Sequence, residues 1–447
     1  MRVRFILKKQ QSQSNRSLTA GICTLGCKVN QYESQAMSEA LADLGVTVID
    51  FDGICDIYAI NTCTVTAESD RKAKQMIRRA VRKNPDALVI VTGCFAQAFP
   101  EKAAAIEGVD IVCGNKRKLA AISAAAEFIA GGFKPTSPIL LVDDLKDSEF
   151  EPMTIHHSER TRAYIKIEDG CEGKCAYCII PSVRGPIRSK PITDVISEAA
   201  GLVDAGYREI VLTGIETSAY SYGLPALMEA LSALDHLERV RFGSLDPASM
   251  RADFADAALR AGNVMPSFHV SLQSGCDATL RRMRRRYNTK QVRENLAYIR
   301  EIMPDVTFTA DVICGFPGET EKDFEESCSF VRELGLLHTH VFTYSRRPGT
   351  EADKMPDQIP EDVKNDRAAK LIAIAEEQKQ VVYRRYAERG EIMPVLVEGW
   401  SEKEHLSWGH TPNFMPVYFT SERDLRGKTV NVKLSKINED KLYGVKS

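Results

Sequence analysis

The sequence has no apolar run near the ~18 residues that a membrane-spanning helix needs, so no membrane anchor is expected. It also lacks an excess of charge of either sign. Lys and Arg number 59 and Asp and Glu 61, a formal charge of −2, which excludes a uniformly basic nucleic-acid coat and leaves only local patches for phosphate contact. No apolar secretory segment follows the acid-free, Arg-, Ser- and Gln-rich start. Residues 1–18 therefore read as a loosely ordered tail, with an organellar transit peptide as the alternative, and the protein is expected to be soluble and cytoplasmic. A fourth thiol is missing as well. Cys171, Cys175 and Cys178 stand at C-x3-C-x2-C spacing with no other cysteine beside them. An odd set of thiols in a long chain without a secretory signal points to metal or catalysis and away from a disulfide framework.

A cubic 4Fe-4S cluster normally takes four cysteine ligands, so a loop that offers three leaves one iron open to a small molecule. Gly170 and Gly173 let the backbone wrap closely around such a cube, and Pro181 and Gly185 end the wrapping. A structural zinc site, with His156 or His157 as fourth ligand, is the competing reading, but such sites favour pairs at C-x2-C spacing.

From Thr19 the text alternates strand and helix. Strands are expected at Gly21–Thr24, Val46–Phe51, Ile57–Asn61, Leu88–Thr92 and Val109–Cys113, with helical patterns between and after them, as in a doubly wound parallel α/β sheet over residues 19–131. Cys27, Cys63 and Cys94 each follow one of these strands. Ligands of open parallel sheets bind at the carboxyl ends of the strands, so the three thiols converge on one site and suggest a second cluster with an open iron. Free cysteine is also an ordinary small core residue, and Cys23, Cys55 and Cys113 read that way. Residues 132–159, with Pro135, Pro138 and mixed acids, read as a linker.

A second series occupies residues 160–388. Strand-like runs at Ala163–Ile167, Glu209–Thr213, Val240–Gly243, Ser267–Leu272, Val306–Ile313 and His338–Tyr344 make six units, too few for a closed eight-stranded barrel and suited to a partial (βα)6 barrel. Active sites of such folds sit at the carboxyl ends of the strands. The three-thiol loop lies there, with Gly214-Ile215-Glu216, Gln273-Ser274-Gly275 and Gly315-Phe316-Pro317-Gly318-Glu319. Residues 389–447 read as short strands joined by polar turns, a small all-β barrel for RNA or a mere packing module. Two basic runs, Arg71 to Lys83 and Arg281 to Arg286, are candidates for phosphate contact; the bland reading is a solvated face.

The loop from Asp169 to Pro181 resembles the radical S-adenosylmethionine superfamily. With Leu25-Gly26-Cys27-Lys28-Val29-Asn30-Gln31-Tyr32-Glu33-Ser34, Asn61-Thr62-Cys63-Thr64 and Thr92-Gly93-Cys94, the chain from about Thr19 onward resembles the methylthiotransferase family. The Lys-Val-Asn-Gln-Tyr-Glu wording is similar to the branch acting on N6-threonylcarbamoyladenosine in tRNA. Cys276 departs from the serine that relatives often carry.

The resemblance implies two 4Fe-4S clusters. One, on Cys171, Cys175 and Cys178, chelates S-adenosylmethionine and, reduced by a donor such as flavodoxin or ferredoxin, cleaves it to a 5'-deoxyadenosyl radical. The other, on Cys27, Cys63 and Cys94, carries the sulfur that is methylated by a second S-adenosylmethionine and delivered to adenine C2. A radical suits the target because that C–H is not acidic enough for a general base. Gly214, Glu216, Gln273, Ser274, Gly315 and Tyr344 are expected to shape the S-adenosylmethionine pocket. The C-terminal barrel is implied to be a TRAM domain that grips tRNA. Sister branches act on isopentenyladenosine in tRNA or on a ribosomal-protein aspartate, and a zinc-stabilised RNA-binding protein without catalysis is the reading from another class.

Overall fold

The computed structural model describes residues 17–146, 148–158, 160–438 and 440–447. Most of the expected N-terminal tail, and with it the transit-peptide alternative, lies outside the described residues. The first unit is a parallel sheet of β1 (Thr19–Thr24), β2 (Thr47–Ile49), β3 (Ile57–Thr62), β4 (Leu88–Gly93), β5 (Ile111–Cys113) and β6 (Ile139–Leu141), in the order β2-β1-β3-β4-β5-β6. Every residue of β3 and β4 is buried, as expected of strands covered by helices on both faces. One face packs on the helix Ala67–Lys83, the other on the helices Lys28–Asp43 and Lys118–Gly131. Strand order reverses between β1 and β3, so the ligand crevice of the sheet opens between the strands that precede Cys27 and Cys63. The segment read as a linker supplies the sixth strand, paired in parallel with β5. Three residues behind a proline are too few for any periodicity to signal a strand.

The second unit is an open arc of parallel strands. β7 (Ala163–Lys166), β10 (Glu209–Thr213) and β11 (Arg239–Phe242) form one ribbon; β12 (Ser244–Leu245), β13 (Ser267–Gln273), β14 (Thr307–Cys314) and β15 (His338–Thr343) form the next, with β11 running into β12 across Gly243. A short antiparallel pair, β8 (Glu168–Asp169) with β9 (Arg188–Ser189), brackets the three-cysteine loop. Along β13 the buried Phe268, Val270 and Leu272 face the outer helices, while Ser267, His269, Ser271 and Gln273 face the interior of the arc. A polar lumen within an apolar shell is thus written in the alternation of one strand.

The helix Glu361–Arg389 packs on β15 and leads to a closed barrel of β16 (Ile392–Ser401), β17 (Leu406–His410), β18 (Pro416–Thr420), β19 (Thr429–Asn438) and β20 (Lys441–Lys446), in the order β16-β17-β18-β20-β19. β17, Leu-Ser-Trp-Gly-His, has no β-branched residue, which is why propensity alone did not announce it. Two buried arginines of β11 fasten this barrel to the arc. Arg239 donates to the carbonyls of Pro394 and His410, and Arg241 to those of Thr411 and Pro412. Among the described residues, no helix is long and apolar enough to cross a membrane.

Candidate functional site

Cys171, Cys175 and Cys178 line a cavity of about 540 Å³ at the carboxyl ends of the arc's strands. The backbone N–H of Gly173 donates to Cys171 Sγ at 3.2 Å, and a Cβ on Gly173 would stand 3.1 Å from that sulfur and 3.8 Å from Cys175 Sγ. A glycine here lets two sulfurs close over the same backbone, the cradle that a cluster requires. Arg285 donates to Cys175 Sγ at 3.2 Å and is itself held by Asp246 at 2.8 Å and Tyr287 at 3.0 Å. Burial pushes the Cys171 thiol up to about 11, against the Gly173 N–H, and Cys178 up to about 12, against the Ile180 N–H. Such thiols are poor free nucleophiles and become thiolates when a metal binds the sulfur and the proton is released to solvent.

The second triad sits at the switch point of the sheet. Gly26 has φ +97°, and a Cβ on it would lie 2.7 Å from Cys63 Cβ and 3.0 Å from Cys63 Sγ, so the turn carrying Cys27 packs against Cys63. Burial and the neighbouring Cys94 push the Cys63 thiol up to about 11, and Cys27 adds to the effect. Cys94 Sγ accepts from Asn115 Nδ2 at 3.5 Å, and the same amide reaches the Val183 carbonyl at 2.7 Å. The three thiols act on one another, and among the described residues no fourth ligand is grouped with them, a donor set that fits an open-iron cluster as the first triad does. The two triads share a wall: Cys94 packs against Ile179, the residue after Cys178, and against Val183.

Beneath that wall lies a buried ionic cluster. Glu33, from the helix that follows Cys27, meets Lys118 at 2.5 Å, Arg184 at 2.7 Å and Lys166 at 3.0 Å; Asp169 meets Arg184 at 3.3 Å and both Lys166 and Arg188 at 3.4 Å. Burial would raise the Glu33 carboxyl, but Arg184, Lys118 and Lys166 outweigh it and hold it well below the usual carboxylate range. Asp169 is lowered the same way, burial being overcome by Arg184 and Lys166. Arg347, 2 % exposed, closes the far side by donating to Thr64 at 2.7 Å and Asp70 at 2.8 Å, beside Cys63.

Of the residues expected to shape the pocket, Glu216 and Gln273 line the cavity with the thiols. Gly214, Ser274, Gly315 and Tyr344 stand behind it: Gly214 against Glu168, Ser274 on Ser327 at 3.1 Å, Gly315 against Lys364, and buried Tyr344 beside Phe316. Burial and Asp246 push the Glu216 carboxyl up to about 7, with Arg285 opposing. Burial pushes Glu168 up to about 8, although its Oε2 accepts the Glu216 N–H at 2.7 Å. The arginine run does not present one phosphate-binding face. Arg282 pairs with Asp323, Arg284 with Glu351 and Arg285 with Asp246, because the segment turns back into the cavity wall. Cys276 is buried at the start of the helix Asp277–Arg282, with Sγ 3.1 Å from Glu326, away from both triads. His156 pairs with Glu39 on the surface, and neither it nor His157 lines the cavity of the loop thiols.

A model described as the Radical SAM superfamily matches residues 165–331, and one described as Uncharacterized protein family UPF0004 matches residues 19–114. A threonylcarbamoyladenosine tRNA methylthiotransferase MtaB of Bacillus subtilis (strain 168) is 38% identical, with 94% of each chain covered. The chain belongs to the radical S-adenosylmethionine methylthiotransferase family. Another relative, the tRNA-2-methylthio-N(6)-dimethylallyladenosine synthase of Clostridium novyi (strain NT), is 34% identical over 95% of each chain. Among solved structures, the radical S-adenosylmethionine methyltransferase TsrM of Kitasatospora setae superposes with a TM-score of 0.55 at 17% identity, covering 75% of this chain and 77% of that one, a likeness of fold alone. For a radical S-adenosylmethionine methylthiotransferase, a 4Fe-4S cluster and S-adenosylmethionine are the cofactors of the arc, and the closed five-stranded barrel is TRAM-like. Two features of this family member escaped the sequence reading, the Glu33 cluster and the hold of Arg285 on Cys175. The signal for the first was present: Lys166, Glu168 and Asp169 interrupt a strand otherwise fit for a core, and buried charges must be paired.

Proposed function

We propose that this methylthiotransferase adds a methylthio group to C2 of N6-threonylcarbamoyladenosine beside the anticodon of tRNA. The observation that carries the reading is the match to relatives so named along nearly their whole length, joined to two cysteine triads that share one wall. Cys171, Cys175 and Cys178 hold the cluster that binds S-adenosylmethionine, and Cys27, Cys63 and Cys94 hold a second 4Fe-4S cluster. The chemistry supplied at the first site is one-electron cleavage of the sulfonium, with the electron from a donor such as flavodoxin or ferredoxin. The chain's own work is to place and exclude. Glu216 and Gln273 offer a carboxylate and an amide to the polar groups of S-adenosylmethionine in the cavity they line. Arg285 steadies Cys175, and the walls of Ile180, Ile187 and Ile215 keep water away. The TRAM-like barrel and the basic cleft of Lys74, Arg78, Arg82 and Lys102 hold the RNA, and the enzyme works in the cytoplasm.

The competing substrate is N6-dimethylallyladenosine, since relatives named for it match over the same span. Nucleoside mass spectrometry of tRNA from cells with and without the gene decides. Deletion is expected to remove 2-methylthio-N6-threonylcarbamoyladenosine and leave its unthiolated precursor; loss of a methylthio-dimethylallyladenosine would refute the assignment.

A further inference from the structure

A second cavity, of about 430 Å³, lies deeper in the arc, within the roughly 300–1,000 Å³ usual for small-molecule sites. Its floor is the inward face of β13 and β14, Ser267, His269 and Thr309, and its roof is Phe414 of the C-terminal barrel. Ser271 and Gln273, the next inward residues of β13, face the cavity of the cluster thiols. At a strand rise of about 3.3 Å per residue, His269 and Ser271 lie only ~7 Å apart along one floor. On the other side stands Lys28, which follows Cys27 directly. A base at the meeting of the two triads therefore has this cavity beside it.

The cations around the cavity differ in commitment. Arg241 is bound to Glu209 at 2.9 Å and to two carbonyls, and Arg162 reaches Glu398 at 3.5 Å and Glu209 at 3.7 Å. Both guanidiniums lie 4.9 Å from the Phe414 ring. His269 is held by Thr309 at 2.7 Å and Asp311 at 3.2 Å. The Lys28 side chain, by contrast, makes no hydrogen bond or ion pair among the described residues and faces Arg162 and Arg241 across the cavity, with Asp311 as its acidic neighbour. Its ammonium stands ready for an anion brought by a ligand.

We infer that this cavity receives the N6 substituent of the target adenosine and that Lys28 pairs with its carboxylate. The inference rests on the threonylcarbamoyl reading and deepens it. A threonylcarbamoyl group carries one carboxylate and one hydroxyl, which suit the ammonium of Lys28 and the polar floor at His269 and Thr309. A dimethylallyl group carries neither. It would cover the ammonium and leave it unpaired, so the same residue that favours one substrate penalises the other.

The test uses the holoenzyme with both clusters confirmed by iron and sulfide content. Affinities are measured for anticodon stem-loops bearing threonylcarbamoyladenosine, its methyl ester, dimethylallyladenosine or plain adenosine, with wild-type protein and with Lys28→Gln and Lys28→Arg. Wild type is expected to bind the free carboxylate roughly ten- to a hundredfold more tightly than the ester, the range of a charge-assisted hydrogen bond. Lys28→Gln should erase that ratio and Lys28→Arg restore part of it. The ester comparison needs no mutant, so it stands even if a variant loses a cluster. An unchanged ratio in Lys28→Gln overturns the inference and leaves the substrate assignment intact. An equal weakening of all four ligands with a shallower salt dependence also overturns it, by making Lys28 a phosphate contact. A wild-type preference for the dimethylallyl stem-loop would instead sink the substrate assignment and the inference together.

Discussion

Replacing Glu33 with glutamine keeps the shape of the side chain and removes the one charge on which Lys118, Lys166 and Arg184 converge. All four side chains are buried. Lys118 would be left with Asn61 Oδ1 at 3.2 Å, and Asp169 would have to serve Lys166, Arg184 and Arg188 alone. Breaking a buried ionic group by removing one partner costs about 3–5 kcal/mol. A domain has only ~5–15 kcal/mol of stability, and 1 kcal/mol moves Tm by ~2–4 °C in a domain of about 150–250 residues. Glu33→Gln should therefore melt roughly 6–20 °C below wild type in anaerobic calorimetry of the loaded enzyme. The exposed pair Arg293–Glu333 provides the control, since Glu333→Gln should cost less than ~1 kcal/mol. The sign of the pH dependence follows from the lowered Glu33 pKa. Its contribution is complete above the unfolded value of about 4.3 and fades as pH falls from there through the lower folded value, so the gap between wild type and variant should be widest near neutrality and close in acid. A Glu33→Gln protein melting within about 2 °C of wild type would show that the three cations do not depend on this carboxylate and would refute the argument.

Three further outcomes are expected. Cys175→Ala should lose one cluster's iron and all reductive cleavage of S-adenosylmethionine. Cys63→Ala should lose the other cluster's iron, still yield 5'-deoxyadenosine when given a reductant, and make no methylthiolated nucleoside; normal product from Cys63→Ala would refute the placement of the second cluster. Glu168, raised by burial to about 8, must be ionised against its surroundings as pH climbs. Wild type should lose stability relative to Glu168→Gln between about pH 4.3 and 8, by no more than about 5 kcal/mol, with parallel profiles of the two proteins as the refuting result.

Much of the layout of the candidate site was legible because its thiols are rare residues at set places in the chain. Cys171, Cys175 and Cys178 could be read from their spacing, and Cys27, Cys63 and Cys94 from the strands they follow, since strand ends of a parallel sheet meet at one edge. Glu216 and Gln273 share that logic and do face the cavity. Tyr344 and Gly315 follow strands too, yet they face the layer behind, because position after a strand fixes the neighbourhood and not the direction of a side chain. The arginine run shows the same limit. A string of charges looks alike whether it meets solvent or, as Arg282 and Arg285 do, carboxylates hundreds of atoms away in the chain. Strand β6 was hidden by its brevity, and the Glu33 cluster by its dispersal over residues 33 to 188.

The grip of Arg239 and Arg241 on the carbonyls of residues 394 and 410–412 makes the C-terminal barrel a fixed part of the enzyme and not a tethered hand. A module on a loose leash contributes through effective concentration and tolerates changes in linker length. On the proposed reading, in which the barrel holds the RNA, it acts as a ruler: the distance from the barrel to the two cysteine triads is set by packing, and that length would choose the nucleotide presented to the chemistry. Grafting a barrel from a relative onto this arc would succeed only if its strands and turn offered backbone carbonyls in the same places, because two buried guanidiniums left without them would push the ruler out of line.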